Sequence, residues 1–211
     1  MKTIIKKLFK YLVFLFSRIY TYNRNITIKS KKNYTYSLWI SNFLGSLGDG
    51  SRIFYPCKLW GGGSKHIYIG DRSTIQGYCI LGCWVKYGNH TFSPSIEIGN
   101  NCNIGEHTHI TAINKITIGN GLLTGRYVYI GDNSHGGLSW EEADIPPIRR
   151  DLKSKGEIII GNNVWIGDKA TILAGIHIGD NVIIGANSVV THDIPSNCMV
   201  AGMPAKIIKK L

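Results

Sequence analysis

The chain has 211 residues, 44% of them hydrophobic, enough for one substantial domain with appendages and too apolar for a disordered tail. Lys and Arg outnumber Asp and Glu by 24 to 13, a net charge of +11 that favours anionic partners such as phosphorylated cofactors, acidic glycans or membrane surfaces. No nucleic-acid motif is present, which sets nucleic acid aside as a partner.

Residues 1–24, MKTIIKKLFKYLVFLFSRIYTYNR, read as an amphipathic helix. Its apolar run Leu8–Ile19 is broken by Lys10 and Arg18 and is too short to span a bilayer. It lacks a small-residue cleavage site, so no removable signal peptide is expected. Two readings stay open: a helix packing on its own protein or a partner subunit, or a cationic helix lying on a membrane surface. From residue 25 to the C-terminus the expectation is one repeat domain. Residues 25–60 carry short β-prone pieces, Ile26-Thr27-Ile28 and Ile53-Phe54-Tyr55, expected to form opening coils with degraded periodicity.

A six-residue beat then sets in at Ile69, Ile75 and Leu81. A loop with Tyr87, Asn89, His90 and Pro94 interrupts it. It resumes at Ile98, Ile104 and Ile110, slips by two residues near Asn114, and returns at Ile118, Thr124 and Ile130. Residues 133–156, NSHGGLSWEEADIPPIRRDLKSKG, hold two prolines, many charges and no hexad. An excursion of that length from a regular coil is where function concentrates. The beat restarts and runs unbroken through Ile160, Ile166, Ile172, Ile178, Ile184 and Val190. The fifth position of each unit is Val164, Ala170, Ile176, Val182 or Ser188, all small or branched. A period of six fits neither a helix nor a single strand; it fits strand, turn, strand, turn, the hexapeptide β-helix, with about eighteen residues per triangular turn. The 25 glycines suit such a turn-rich coil. The five cysteines are odd in number and form no C-x-x-C, which fits reduced thiols in a cytoplasmic protein. The end, residues 203–211, is expected to be a short cationic helix closing the last coil.

The segment GEIIIGNNVWIGDKATILAGIHIGDNVIIGANSVVTHDIPSNCMVAGMPAKII resembles the hexapeptide-repeat acyltransferases, and more narrowly the maltose/galactoside acetyltransferase-like branch that includes surface-polysaccharide O-acetyltransferases. The resemblance covers roughly residues 60–211 and rests on VWIG, AGMPAK and a His-bearing loop. It implies an all-β, left-handed parallel β-helix, a homotrimer with sites between subunits, and acetyl-CoA as acyl donor. It implies no metal.

His135, at the point where the coil gives way to the loop, matches the position of the family's catalytic histidine. An imidazole there can take a proton near neutral pH, as removal of a hydroxyl proton requires. Asp132 or Glu142 is the carboxylate candidate for orienting it, with a backbone carbonyl as the alternative. By the same resemblance Trp165, Gly167, Asp168, Ala186 and Thr191 lie along the pantetheine arm, and Pro204, Lys206 and Lys209 lie near the CoA phosphates. Asn133, His109 and Trp165 are the candidates for acceptor contact; His107 and His109 line either the cleft or a coil surface. The expected reaction is direct transfer, in a ternary complex, of an acetyl group to a sugar hydroxyl of a surface polysaccharide or its precursor. The alternatives are another acceptor (an antibiotic, serine or an amino-sugar nucleotide), a metal-dependent carbonic anhydrase-like activity, or a non-catalytic β-helix. Against the metal reading, no second His follows His135 until His177.

Overall fold

A computed structural model describes residues 2–137 and 139–211. The hexads wind into a three-walled, left-handed prism in which each strand pairs in parallel with the strand one turn later. The first wall stacks Ser46–Leu47, Ile67–Ile69, Ser95–Ile98, Lys115–Ile118, Ile158–Ile160 and His177–Ile178. The second runs from Arg52–Ile53 through Thr74–Ile75, Asn103–Ile104, Leu123–Thr124, Trp165–Ile166 and Ile183–Ile184 to Cys198–Ala201. The third stacks Lys58–Trp60, Ile80–Cys83, His109–Ala112, Tyr129–Gly131, Thr171–Ile172 and Val189–Val190.

The reason is visible in the register. Ile69, Ile98, Ile118, Ile160 and Ile178 lie side by side on the first wall, and Leu81, Ile110, Ile130, Ile172 and Val190 on the third, all facing inward and buried. Each such side chain removed from water stabilises the fold by about 1.5–3 kcal/mol, so the ladders are the core. The fifth positions Val164, Ala170, Ile176, Val182 and Ser188 are buried at the corners. Turning a corner needs a left-handed residue, and Asn, the non-glycine type best suited to it, takes that role at Asn101, Asn163, Asn181 and Asn187. A second ladder ties the corner between first and second walls. The Asn120 side-chain oxygen accepts from Asn100 N at 2.8 Å, and that of Asn162 accepts from Asn120 N at 2.9 Å. At Gly119 on the same corner, a Cβ would lie 2.8 Å from the Gly161 backbone, so coils can approach this closely only without a side chain. All five cysteines are free and buried.

Both ends differ from the sequence reading. Residues 25–41 do not form coils: Lys2–Ile19 is one helix (α1) and Tyr22–Ser41 is a second (α2) that contains Ile26-Thr27-Ile28. Thr21 caps α2 through Arg24 N at 3.2 Å. The C-terminal half of α2 covers the open edge of the first coil: Ser37 Oγ accepts from Ile53 N, Asn33 Oδ1 from Tyr55 N, and Tyr36 Oη bonds the Cys57 backbone. Satisfying that edge outweighs the modest strand preference of two isoleucines and a threonine. Ile53 does begin a coil, in the strand Arg52–Ile53. At the other end the expected helix is instead a strand, Lys206–Lys210, which turns back antiparallel along Cys198–Ala201. It does the edge-covering work foreseen for the helix, and β-branched Ile207-Ile208 suits the extended chain.

Candidate active site

The third wall carries an outward row in which Ile80, His109 and Tyr129 are side by side, with Trp60 opposite Gly82 and Thr111 one position further on. His109 meets the rings of Trp60 and Tyr129 edge to face, with centroids at 6.0 and 5.5 Å. Above this row rise two loops. One is the small hairpin Lys86–Tyr87/His90–Thr91; the other is the excursion that begins after Gly131. Between wall and loops lies a cleft of about 530 Å³, lined by Trp60, Trp84, Tyr87, His109, Tyr129 and His135 among others.

The excursion is built rather than slack. Ser134–His135 pairs antiparallel with Leu152–Lys153, so the His135 main chain is fixed at the rim. Glu142 Oε2 accepts from Gly137 N at 2.6 Å, and its other oxygen pairs with Lys153. The Lys153 ammonium and then the Gly137 N–H hold the Glu142 carboxyl below the usual range. Gly136 sits at φ +68, where a Cβ would crowd the Glu142 carboxylate and the Arg150 side chain at 2.9 Å. The hairpin latches onto this loop twice: Tyr87 Oη donates to Ile148 O at 2.8 Å, and His90 meets Asp151 at 3.1 Å. The Tyr87 ring lies edge-on to the His135 imidazole, centroids 5.3 Å apart.

His135 is thus exposed at the cleft rim, held through its main chain and flanked by Tyr87. Neither carboxylate foreseen beside it reaches it. Asp132 is fully buried and spends its oxygens on Ile113 N at 2.8 Å, Asn114 N at 2.9 Å and the Asn133 amide. Burial pushes its carboxyl up, against the pull of those two N–H groups. Glu142 is committed to Gly137 and Lys153. Asn133 lines the cleft, its amide donating to Thr111 O at 3.1 Å. His109 lines it too; burial lowers its pKa, and its Nε2 is buried without a hydrogen-bond partner among the described residues. His107 is elsewhere, stacked between Tyr78 and Tyr127 on a corner.

The other candidates lie apart from this cleft within one chain. Trp165 projects from the second wall, half-exposed, beside Leu123. Gly167 and Asp168 follow at the next corner, where Asp168 Oδ1 accepts from Arg126 N at 2.8 Å. Ala186 is one turn further on, so close that a Cβ on Gly167 would lie 2.5 Å from its nitrogen. Thr191 Oγ1 bonds His192 Nδ1. Pro204 lies in the turn before the last strand, on which Lys206 and Lys209 are exposed. The aromatic lining of Trp60, Trp84 and Tyr129 escaped the sequence reading. Its one signal was a large ring at an outward hexad position, as at Tyr129 before inward Ile130.

Residues 157–192 match the family described as bacterial transferase hexapeptide (six repeats). The chain is 41% identical over 162 residues to WbbJ of Escherichia coli, named for O-acetyl transfer in lipopolysaccharide biosynthesis; the match covers 75% of this chain and 78% of WbbJ. It is 35% identical over 126 residues to the galactoside O-acetyltransferase of the same organism, 57% of each chain. Among solved structures it resembles a maltose O-acetyltransferase from Clostridium difficile, with a TM-score of 0.54 at 25% identity over 81% of this chain and 71% of that one. A likeness in fold extends to AntD, an N-acyltransferase from Bacillus cereus, with a TM-score of 0.67 at 21% identity over 85% of this chain and 89% of that one.

Proposed function

The chain belongs to the hexapeptide-repeat acetyltransferases, and from that premise we propose that it O-acetylates a sugar hydroxyl of a surface polysaccharide or its precursor. Acetyl-CoA supplies the acyl group as a thioester. His135 acts as general base: its imidazole takes the hydroxyl proton as the sugar oxygen attacks the thioester carbonyl in a ternary complex, and the imidazolium returns that proton to the sulfur as the C–S bond breaks and CoA leaves as the thiol. The observation that carries the reading is the cleft, in which one rim-mounted His faces a floor of aromatic rings. Flat apolar rings suit the faces of a pyranose, and the His109 ring and the Asn133 side chain lie among them toward the acceptor. Trp165, the Gly167-Asp168 and Ala186 corner and Thr191 form the track for the pantetheine arm. Pro204, Lys206 and Lys209 serve the phosphates, for which exposed ammonium groups suffice. A screen of sugar acceptors with acetyl-CoA, read as thiol release, tests the activity. Turnover with a hydroxyl-bearing glycan is expected; an absence of turnover with every hydroxyl acceptor, alongside turnover with amines, sinks it in favour of N-acetylation.

The reading includes a homotrimer. His135 and Trp165 stand on different walls of one prism and do not meet. A neighbour that lays its second wall against the third wall of the first chain closes the cleft and covers exposed Trp165 and Leu123. Light scattering is expected to report three chains, and Trp165→Glu to shift the mass downward with loss of turnover. An active, stable monomer overturns it. The reading also places the protein inside the cell, peripheral to the inner face of the membrane; among the described residues no helix is long and apolar enough to cross one.

A further inference from the structure

The positive charge of the chain is gathered at one end. Residues 1–48 hold nine Lys and Arg and no Asp or Glu. Of the 24 basic residues, 15 remain for the rest of the chain, against all 13 acidic ones, so the +11 is +9 in the first 48 residues and +2 beyond them. The apolar side chains of α1 are equally uncompensated. Ile5, Leu8, Leu12, Phe16 and Ile19 follow helical spacing on one face, and Lys6, Lys7 and Lys10 lie on the opposite one. No residue of α1 is buried, and Leu8, Leu12 and Phe16 stand 58%, 54% and 61% exposed. A continuous apolar stripe of this size in water needs a partner. The flanking charge says which kind: a second copy would bring nine more positive charges against these, whereas an anionic surface complements both faces at once.

The rest of the fold fixes which end of the prism that surface meets. The C-terminal half of α2 caps the first coil through Ser37, Tyr36 and Ile40, while Arg24, Lys29, Lys31 and Lys32 stay exposed on its N-terminal half. The cleft starts at the same end. It begins at Trp60, on the first strand of the third wall, and His135 follows the fourth. At about 4.8 Å per strand, the cleft runs three spacings, on the order of 15 Å, from its mouth at Trp60 by the capped end to His135, which lies two spacings from the last strand of that wall. The last strand, Lys206–Lys210, closes the far end.

We propose that α1 and the basic half of α2 form a docking module for an anionic lipid surface, and that it seats the prism with its N-terminal end, and hence the mouth of the cleft, toward the bilayer. This deepens the peripheral placement proposed above and does not depend on which group is acetylated. The apolar face of α1 sinks to the headgroup–acyl boundary, roughly 5–10 Å deep, and the lysines stay among the headgroups. An acceptor anchored in the same bilayer would then enter at Trp60 and reach His135 by extending about 15 Å along the cleft.

Flotation of the full chain with phosphatidylcholine vesicles, with and without phosphatidylglycerol, tests the docking. Binding is expected to require phosphatidylglycerol, to weaken as salt rises, and to be lost in Leu12→Glu/Phe16→Glu. His135→Ala should float like the wild type, so that failure of docking and failure of the acetyl-transfer reading remain distinct. Because the native cysteines are buried, single labels at His66→Cys and Leu211→Cys report the two ends of the prism. Energy transfer to a lipid dye should be strong from position 66 and weak from position 211. A protein that stays unbound beside phosphatidylglycerol vesicles at low salt overturns the proposal. So does Leu12→Glu/Phe16→Glu if it lowers the oligomer mass instead of the flotation, since α1 then covers a neighbouring chain. Equal transfer from both labels overturns the orientation.

Discussion

Replacing His135 with Ala is expected to lower kcat by on the order of 10²–10⁴ while CoA still binds. The imidazole stands at the rim of the aromatic cleft, and its ring is exposed on the cleft side. Its main chain, not its side chain, holds the loop, through pairing with Leu152. The Ala variant should therefore fold as the wild type does and leave the cleft open. Calorimetric titration with CoA and steady-state kinetics with the best acceptor separate the two effects. Unchanged CoA affinity with a collapsed kcat is the signature of a lost base; a KM effect with near-normal kcat would reduce His135 to an acceptor contact. Tyr87 adds a second arm: edge-on to the imidazole and hydrogen-bonded to Ile148 O, it should contribute less to kcat than the base it flanks.

The coil was legible because the quantity that builds it, one inward aliphatic every six residues, is a property of the sequence itself: Ile160 through Val190 are both the written beat and the buried ladder. His135 was legible for the opposite reason, since it stands where the beat stops. The ends were not. Nothing local to Ile26-Thr27-Ile28 announces a helix, because α2 answers a need that arises only once the first coil exists and leaves the N–H groups of Ile53, Tyr55 and Cys57 open. The same holds for Lys206–Lys210, whose strand is imposed by the edge it covers. The cleft floor was hidden by register: Trp60, His109 and Tyr129 are remote in the chain, and only the pairing of successive turns makes them neighbours. Proximity in sequence also misdirects. Asp132 stands three residues before His135, yet its partners are Ile113 and Asn114 on the preceding turn.

Those partners make Asp132 a residue whose loss should cost the fold as well as the site. The hexad slips by two residues between Ile110 and Ile118, so the corner at Ile113-Asn114 does not follow the regular turn and its N–H groups face no backbone acceptor of the next coil. The buried carboxylate supplies both acceptors at once and, through the Asn133 amide, ties the corner to the start of the His135 loop. In Asp132→Ala two N–H groups lose their partners, and stability is expected to fall by on the order of 2–5 kcal/mol, read by urea denaturation. Asp132→Asn keeps one acceptor oxygen but turns an amide N–H₂ toward a backbone N–H, so an intermediate loss is expected. The pH–rate profile decides whether Asp132 acts on the corner or on the imidazole. If the carboxylate serves only the corner, Asp132→Asn lowers kcat through a displaced loop and leaves the acidic limb in place, because the Asp132 hydrogen bonds run to Ile113, Asn114 and Asn133 and not to His135. If that limb instead moves to lower pH, the carboxylate was supporting the imidazolium across the two residues between them, and Asp132 belongs to the proton-transfer machinery after all.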